Sequence, residues 1–257
     1  TLIAMAAVAV AGVASAQVSI SGKLRFAYET ATSAANATTS GLGVTDGNII
    51  FAASEDLGGG LAISTFMDMR LRGRGAATDG TDTGSGVRGR DASMTLSGGF
   101  GSITIGTVEA GNGILGLGGA GAPVYGLDNG VQLAGAGNVD LLQWTSTKFN
   151  GFAVKVAHID ALGAQGADNG KANRLIGVTY AAGPLSVAAD STSYGSASAA
   201  AADSRTRISA SYDLGVAKIG VGNQSAGNGT AADKSERVVG VSVPMGAMTL
   251  GLVRASS

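Results

Sequence analysis

The sequence predicts an all-β chain folded as a transmembrane, antiparallel up-and-down β-barrel, and three observations carry that prediction. The first is the stretch QVSISGKLRFAYET at residues 17–30. Here Val18, Ile20, Gly22, Leu24, Phe26 and Tyr28 fall on one parity, and Ser19, Ser21, Lys23, Arg25 and Glu29 on the other. Side chains of a strand alternate between faces, so this ribbon has one apolar and one charged side. The second is that the pattern recurs down the chain while almost nothing after residue 16 reads as a helix. No element is left to supply the core that a soluble sheet needs. The third is that long polar connections and tight turns alternate strictly, as in membrane barrels, whose long loops face outward. A sandwich would scatter its long connections, and a solenoid would show one fixed repeat.

Taken in order, the first strand is followed by a Thr/Ser/Ala/Gly loop over 31–46 and a second strand over 47–54, with Ile49, Phe51 and Ala53 on one face. The turn at 55–60 ends in three glycines, which adopt positive φ readily. Residues 61–72 then set Leu61, Ile63, Thr65, Met67, Met69 and Leu71 against Ser64, Asp68, Arg70 and Arg72. A lipid-facing charge at the bilayer midplane costs about 2–4 kcal/mol, so the face with three charges must be wet. A loop over 73–87, a strand over 88–97, a turn over 98–101 and a strand over 102–107 lead to the longest connection, the Gly-rich segment 108–138. A structureless connection of that length is usually functional or a sign of a wrong element assignment. Further strands are expected over 139–146, 152–160, 173–181, 185–192, 204–212, 216–224, 235–243 and 247–254, about thirteen in all. In the strand over 204–212, Arg205, Arg207, Ser209 and Ser211 oppose Thr206, Ile208, Ala210 and Tyr212. One strand breaks parity: Arg90 shares its side with Ala92, Met94 and Leu96. Either that side is covered by another segment or a β-bulge switches faces.

Composition narrows the function. Charged residues are 14% of the 257, against about 25% in ordinary globular domains, while apolar residues reach 45%. That disfavours both a conventional soluble enzyme and a disordered chain. A net charge of −1 offers no polybasic surface to nucleic acid. The absence of cysteine removes disulfides and thiolate metal sites, and no cofactor is expected. With His158 the only histidine, no Ser/His/Asp arrangement is arguable. His158 reads as a rim residue. Trp144, Tyr28, Tyr180 and Tyr212 suit aromatic girdles at a membrane boundary.

The N-terminus has the form of an export signal over residues 1–16: an apolar run over 2–13, then Ala14-Ser15-Ala16, with cleavage after Ala16 leaving Gln17 first. A run of roughly 12 residues is too short to span about 30 Å of hydrocarbon as a helix. The missing initiating Met and basic n-region place the expected start of the gene product a few residues upstream.

The leader TLIAMAAVAVAGVASAQ, SEDLGGGL at 54–61, GRDASMTLSGGFGSITIG at 89–106 and TSTKFNGF at 145–152 occur in an order and spacing that cover nearly the whole chain. In these the chain resembles the general porins of Gram-negative outer membranes, particularly the betaproteobacterial type. The resemblance implies an outer-membrane barrel of about sixteen strands, about three more than are read here, and assembly as a homotrimer among outer-membrane lipid and lipopolysaccharide. It also implies a third external loop, here 108–138, folded into the lumen as a constriction, and basic wall residues facing acids on that loop. Opposed charges across a narrow pore sort small hydrophilic solutes and ions. Carried over, Arg90 matches the arginine of the family's GRxA segment. Lys23, Arg25, Arg70 and Arg72 are further pore-lining candidates by parity, as are Arg205 and Arg207, and Glu109 and Asp128 are the acids of the constriction loop. Asn48 and Gly106-Thr107 stand where relatives carry arginines, which implies a less basic eyelet. The C-terminus, Val253-Arg254-Ala255-Ser256-Ser257, lacks the family's terminal aromatic residue, and the chain is expected to be a fragment. The function expected is passive diffusion, with no residue in covalent chemistry. The alternative is a non-conducting surface β-protein acting as an adhesin or binding module.

Overall fold

The computed structural model describes residues 17–32, 38–72, 86–109, 113–122, 138–160, 172–195, 203–227 and 234–256. They fall into two compact units, one ending at Gly99 and one starting at Phe100.

The first unit holds β1 (Gln17–Thr32), β2 (Thr38–Gly58), β3 (Leu61–Arg72) and β4 (Gly86–Gly98), each antiparallel to the next in the chain. The β2–β3 turn needs its glycines, since Gly58, Gly59 and Gly60 all have positive φ, and the Asp56 carboxylate accepts the Gly58 N–H at 2.8 Å. β2 starts at Thr38, nine residues before the expected strand. Residues 38–46 lack strand alternation, and they are extended because β1 pairs with them from Thr32 back to Arg25.

Register resolves the misbehaving parity of β4. Asp68 pairs with Asp91 and Met69 with Gly89, so Arg90 is the extra residue of a β-bulge. Beyond it, Asp91, Ser93 and Thr95 join the face of Asp68, while Ala92 and Met94 stand opposite Met67 and Thr65 on the other face. Of the two explanations open from sequence, the bulge is the right one.

The second unit holds β5 (Gly101–Glu109), a short helix α1 (Gly113–Gly118), β6 (Asn138–Thr145), β7 (Phe152–Asp160), β8 (Asn173–Ala182), β9 (Leu185–Ser193), β10 (Ser204–Asp213), β11 (Lys218–Gly227), β12 (Lys234–Met245) and β13 (Met248–Ser256). Each strand again pairs antiparallel with its neighbour in sequence, with no register shift from β5 to β13. This is the up-and-down order the spacing predicts.

Burial in the second unit is inverted relative to a soluble protein. Ile208, Tyr212, Ile219, Val221, Val239, Leu250 and Leu252 are exposed, whereas Ser209, Ser211, Gln224, Glu236 and Ser242 are buried. Soluble chains place these residue types the other way round, and so large an apolar exposure marks a surface made for something other than water. The closest approach to a core is small: Ile114, Leu115 and Val238, with Val253 and Ala255 against them. Aromatic side chains gather at the tight-turn end. The Phe152 and Tyr180 rings lie 4.5 Å apart, and the Trp144 indole N–H donates to the Phe100 carbonyl at 3.0 Å.

Candidate pore lining

In the first unit, register aligns Lys23, Asn48, Arg70 and Arg88 across four strands, with Arg25 opposite Asp46 one step away. The centre of this face is Asp68, which is buried. The Asn48 amide donates to Asp68 Oδ2 at 3.1 Å, and Arg90 Nη1 lies 3.5 Å from the same oxygen. Arg90 keeps the parity of Arg88, which pairs with Arg70 on the face of Asp68, and the bulge switches the face of the residues that follow it. Asn48 ties down a carboxylate and adds no charge to this face. Arg72 ends β3 opposite Gly86, and its side chain lies outside the described residues, as does Asp128.

In the second unit a polar row crosses six strands: Lys155, Gly177, Asp190, Arg207, Gln224 and Glu236 stand in register. Arg207 Nε donates to Asp190 Oδ1 at 2.8 Å, and both side chains are only 11% exposed. Gln224 donates to Glu236 Oε2 at 3.3 Å in the buried part of the row. The Lys155 stem crosses Gly177 towards Asp190: a Cβ on Gly177 would come 2.6 Å from Lys155 Cε and 3.1 Å from Asp190 Cβ. One step towards the long loops, the Arg205 guanidinium stands 5.9 Å over the Tyr194 ring, within cation–π range.

The face bearing this row also carries α1. Ile114 and Leu115 pack on Val238, and the Ser242 hydroxyl donates to the Ala120 carbonyl at 2.7 Å. Glycines on the wall make the seat. A Cβ on Gly240 would sit 2.5 Å from Gly119 C, and one on Gly222 3.1 Å from Ile114 Cβ. Left-handed φ at Ala120 and Gly121 stops the helix after Gly118. Part of the segment expected to narrow the lumen, residues 113–122, therefore lies against the polar face of β10, β11 and β12.

Glu109 is placed differently from the sequence expectation. It is the last residue of β5, paired with Asn138, on the side of Ile103 and Ile105 and away from the face of Arg205 and Arg207. Parity counted along β5 would have shown this, but the strand was read as ending at Thr107. Sequence reasoning also missed Asp190, Glu236, Lys155 and Tyr194. Counting parity back from Arg207 cannot reach them, because which residue of the next strand faces it is fixed by register alone.

Comparison with known proteins agrees with this architecture. The family described as Gram-negative porin matches residues 2–255. No curated relative matches the chain in sequence. Among solved structures, an anion-selective porin from Comamonas acidovorans superposes with a TM-score of 0.66 at 20% identity, over 94% of this chain and 78% of that one. OmpTdeltaL8, a loop-deletion mutant of the Vibrio cholerae outer-membrane protein OmpT, gives 0.63 at 16%, over 94% and 82%. A mutant of the Rh. blastica porin gives 0.65 at 14%, over 93% and 84%. At such identities the likeness speaks for the fold.

Proposed function

Starting from the fact that this chain belongs to the Gram-negative porin family of outer-membrane β-barrels, we propose that it is a passive diffusion channel for small hydrophilic solutes and ions. In this reading residues 1–16 are the export signal, 108–138 the constriction loop, and the working form a homotrimer with one pore per subunit. The observation that carries the reading is the seating of α1 on the polar face of β10–β12 while the opposite face is bare and apolar. A loop laid on the polar side narrows whatever passes along it.

The wall charges then set what passes. Arg90 and Arg207 each have a carboxylate partner on the wall itself, so much of their field is cancelled before a solute meets it. Paired charges of both signs slow strongly hydrated ions without choosing a sign sharply. The proposal is therefore a weakly selective pore. Planar-bilayer recordings on the full-length protein test it: stepwise, ohmic openings are expected, with anion and cation permeabilities within a few-fold of each other. A folded protein that gives no steps would refute the channel and favour a non-conducting surface protein.

A further inference from the structure

One side chain on the polar face of the first unit is neither polar nor covered. Phe66, the sixth of twelve residues in β3, shares its parity with Ser64, Asp68 and Arg70, and it is 37% exposed. Ile20, Phe51, Met67 and Met94 are exposed too, but they stand on the other face. Phe66 lies between Ala52 of β2 and Ser93 of β4. Towards the tight turn the next row is Ser54, Ser64 and Thr95, and towards the long loops it is Ile50, Asp68 and Asp91. An apolar step of Phe66, Ile50 and Ala52 is thus set among hydroxyls and carboxylates.

A lone exposed phenyl ring needs no explanation of its own. The polar atoms beside it do. Asp68 Oδ1 and Asn48 Oδ1 are buried without a hydrogen-bond donor among the described residues, and both side chains are more than nine-tenths buried. Only one arm of each is used, where the Asn48 amide donates to Asp68 Oδ2. Buried acceptors are nearly always matched by a donor from protein, water or ligand, and here two unmatched ones stand one row apart on the loop side of the ring.

The chemistry of these neighbours selects a class of solute. The row beside the ring carries two carboxylates and, in the bulge, one guanidinium, 3.5 Å from Asp68 Oδ2. That row is not cationic, so an anion gains nothing there. Acceptors without donors ask for O–H groups, which a simple ion lacks. An open-chain polyol has the hydroxyls but no flat side to lay on the ring. A pyranose has both: its C–H side packs against an aromatic face as another apolar surface does, while its hydroxyls donate to carboxylates, directly or through a water, and accept from a guanidinium. An apolar platform with a few convergent polar groups is also the usual make-up of a small-molecule site.

We infer that Phe66 is the platform of a solute-binding subsite for a neutral pyranose, with the sugar ring stacked on the phenyl ring and its hydroxyls turned to Asp68, Asp91 and Arg90. The inference rests on the porin reading, in which this face meets water and passing solutes, and it narrows that reading from small hydrophilic solutes at large to a sugar that pauses on the wall.

The test uses the full-length protein in planar bilayers with methyl β-glucopyranoside as the probe, each variant's block being referred to its own sugar-free current. Block of the wild type should saturate. Phe66→Leu keeps an apolar side chain but removes the ring face, and it should raise the half-blocking concentration roughly five- to tenfold. Phe66→Trp should leave that concentration equal or lower, and Met67→Leu, on the other face, should match wild type. Sorbitol should reduce current only in proportion to its concentration, and glucuronate should block less than the neutral sugar. Equal block of wild type and Phe66→Leu overturns the platform. Saturable block by sorbitol overturns the ring requirement, and tighter block by glucuronate overturns the neutral class. Saturation-transfer NMR on the detergent-solubilised protein reads binding without current: the C–H protons of one sugar face should receive the strongest transfer in wild type and lose it in Phe66→Leu. A silent bilayer with that transfer intact contradicts the channel and keeps the subsite, whereas steps with neither saturable block nor transfer keep the channel and overturn the subsite.

Discussion

Two ion pairs among the described residues, Asp68–Arg90 in the first unit and Asp190–Arg207 in the second, are built in opposite ways. Asp190 and Arg207 face each other in uninterrupted register, 2.8 Å apart and equally covered. Arg90 approaches Asp68 from the bulge itself, at 3.5 Å, and its side chain stays 25% exposed while that of Asp68 is 6% exposed. Regular pairing gives a tight, closed pair. A bulge gives a looser one whose cation is still partly open to solvent.

The sharpest way to break this comparison is to delete residues. Removing Ser209 from the regular β10 would flip one half of that strand and carry Arg205 and Arg207, or the strand's apolar side chains, to the wrong face. At about 2–4 kcal/mol for each midplane cation turned to lipid, the variant should fail to assemble. Removing Arg90 restores unbroken register in β4 and should leave a folded barrel. Heat-modified electrophoretic mobility reads both, and equal loss in the two variants would contradict the bulge.

Point substitutions sharpen it further. Arg207→Ala takes the hydrogen-bonded partner from a mostly buried carboxylate, leaving it the more distant Lys155 and Arg205, and should cost up to about 3–5 kcal/mol. Arg90→Ala should cost less, because its guanidinium is partly solvated and Asn48 still donates to Asp68, yet it should shift the reversal potential further towards cations. Unfolding midpoints together with reversal potentials check the pair, and the account fails if Arg207→Ala moves selectivity more than Arg90→Ala does. Gly240→Val sets a side chain against Gly119; overpacking of this kind costs about 1–3 kcal/mol. It should lift the loop from its seat into the lumen and lower single-channel conductance, while Gly246→Ala, in a turn where a Cβ meets nothing within 4 Å, should leave conductance alone. The smallest effect belongs to the turn-end aromatics. Tyr180→Ala, which loses the ring contact with Phe152, should cost about 0.5–1.5 kcal/mol beyond the lost apolar area, read as a lowered unfolding midpoint at constant conductance.

Much of the fold is written into single strands. The alternation over 61–72 places Asp68 and Arg70 on one face of their strand, and that over 204–212 places Arg205 and Arg207 on one face of theirs, because a strand's faces follow from counting by two. The long and short connections give the up-and-down order. What the chain does not declare is any property of two strands together. The bulge at Arg90, the extension of β2 to Thr38 and the partnership of Asp190 with Arg207 all belong to register. Helix α1 is hidden for a different reason. Its sequence, GILGLG, is half glycine, a poor helix former, and it is helical because Ile114 and Leu115 find Val238 on a wall whose glycines let it approach.

The central claim is that the face of Ile176, Val178, Val187 and Ala189 meets lipid while that of Thr179, Ala181, Ser186 and Ala188 meets water. A single-cysteine scan of these eight positions, on a cysteine-free background of the full-length protein reconstituted in bilayers, measures it directly. The account predicts that a water-soluble maleimide labels the second set and that brominated lipid quenches probes on the first, switching at every residue. Labelling that ignores parity, or quenching on the second set, would contradict it.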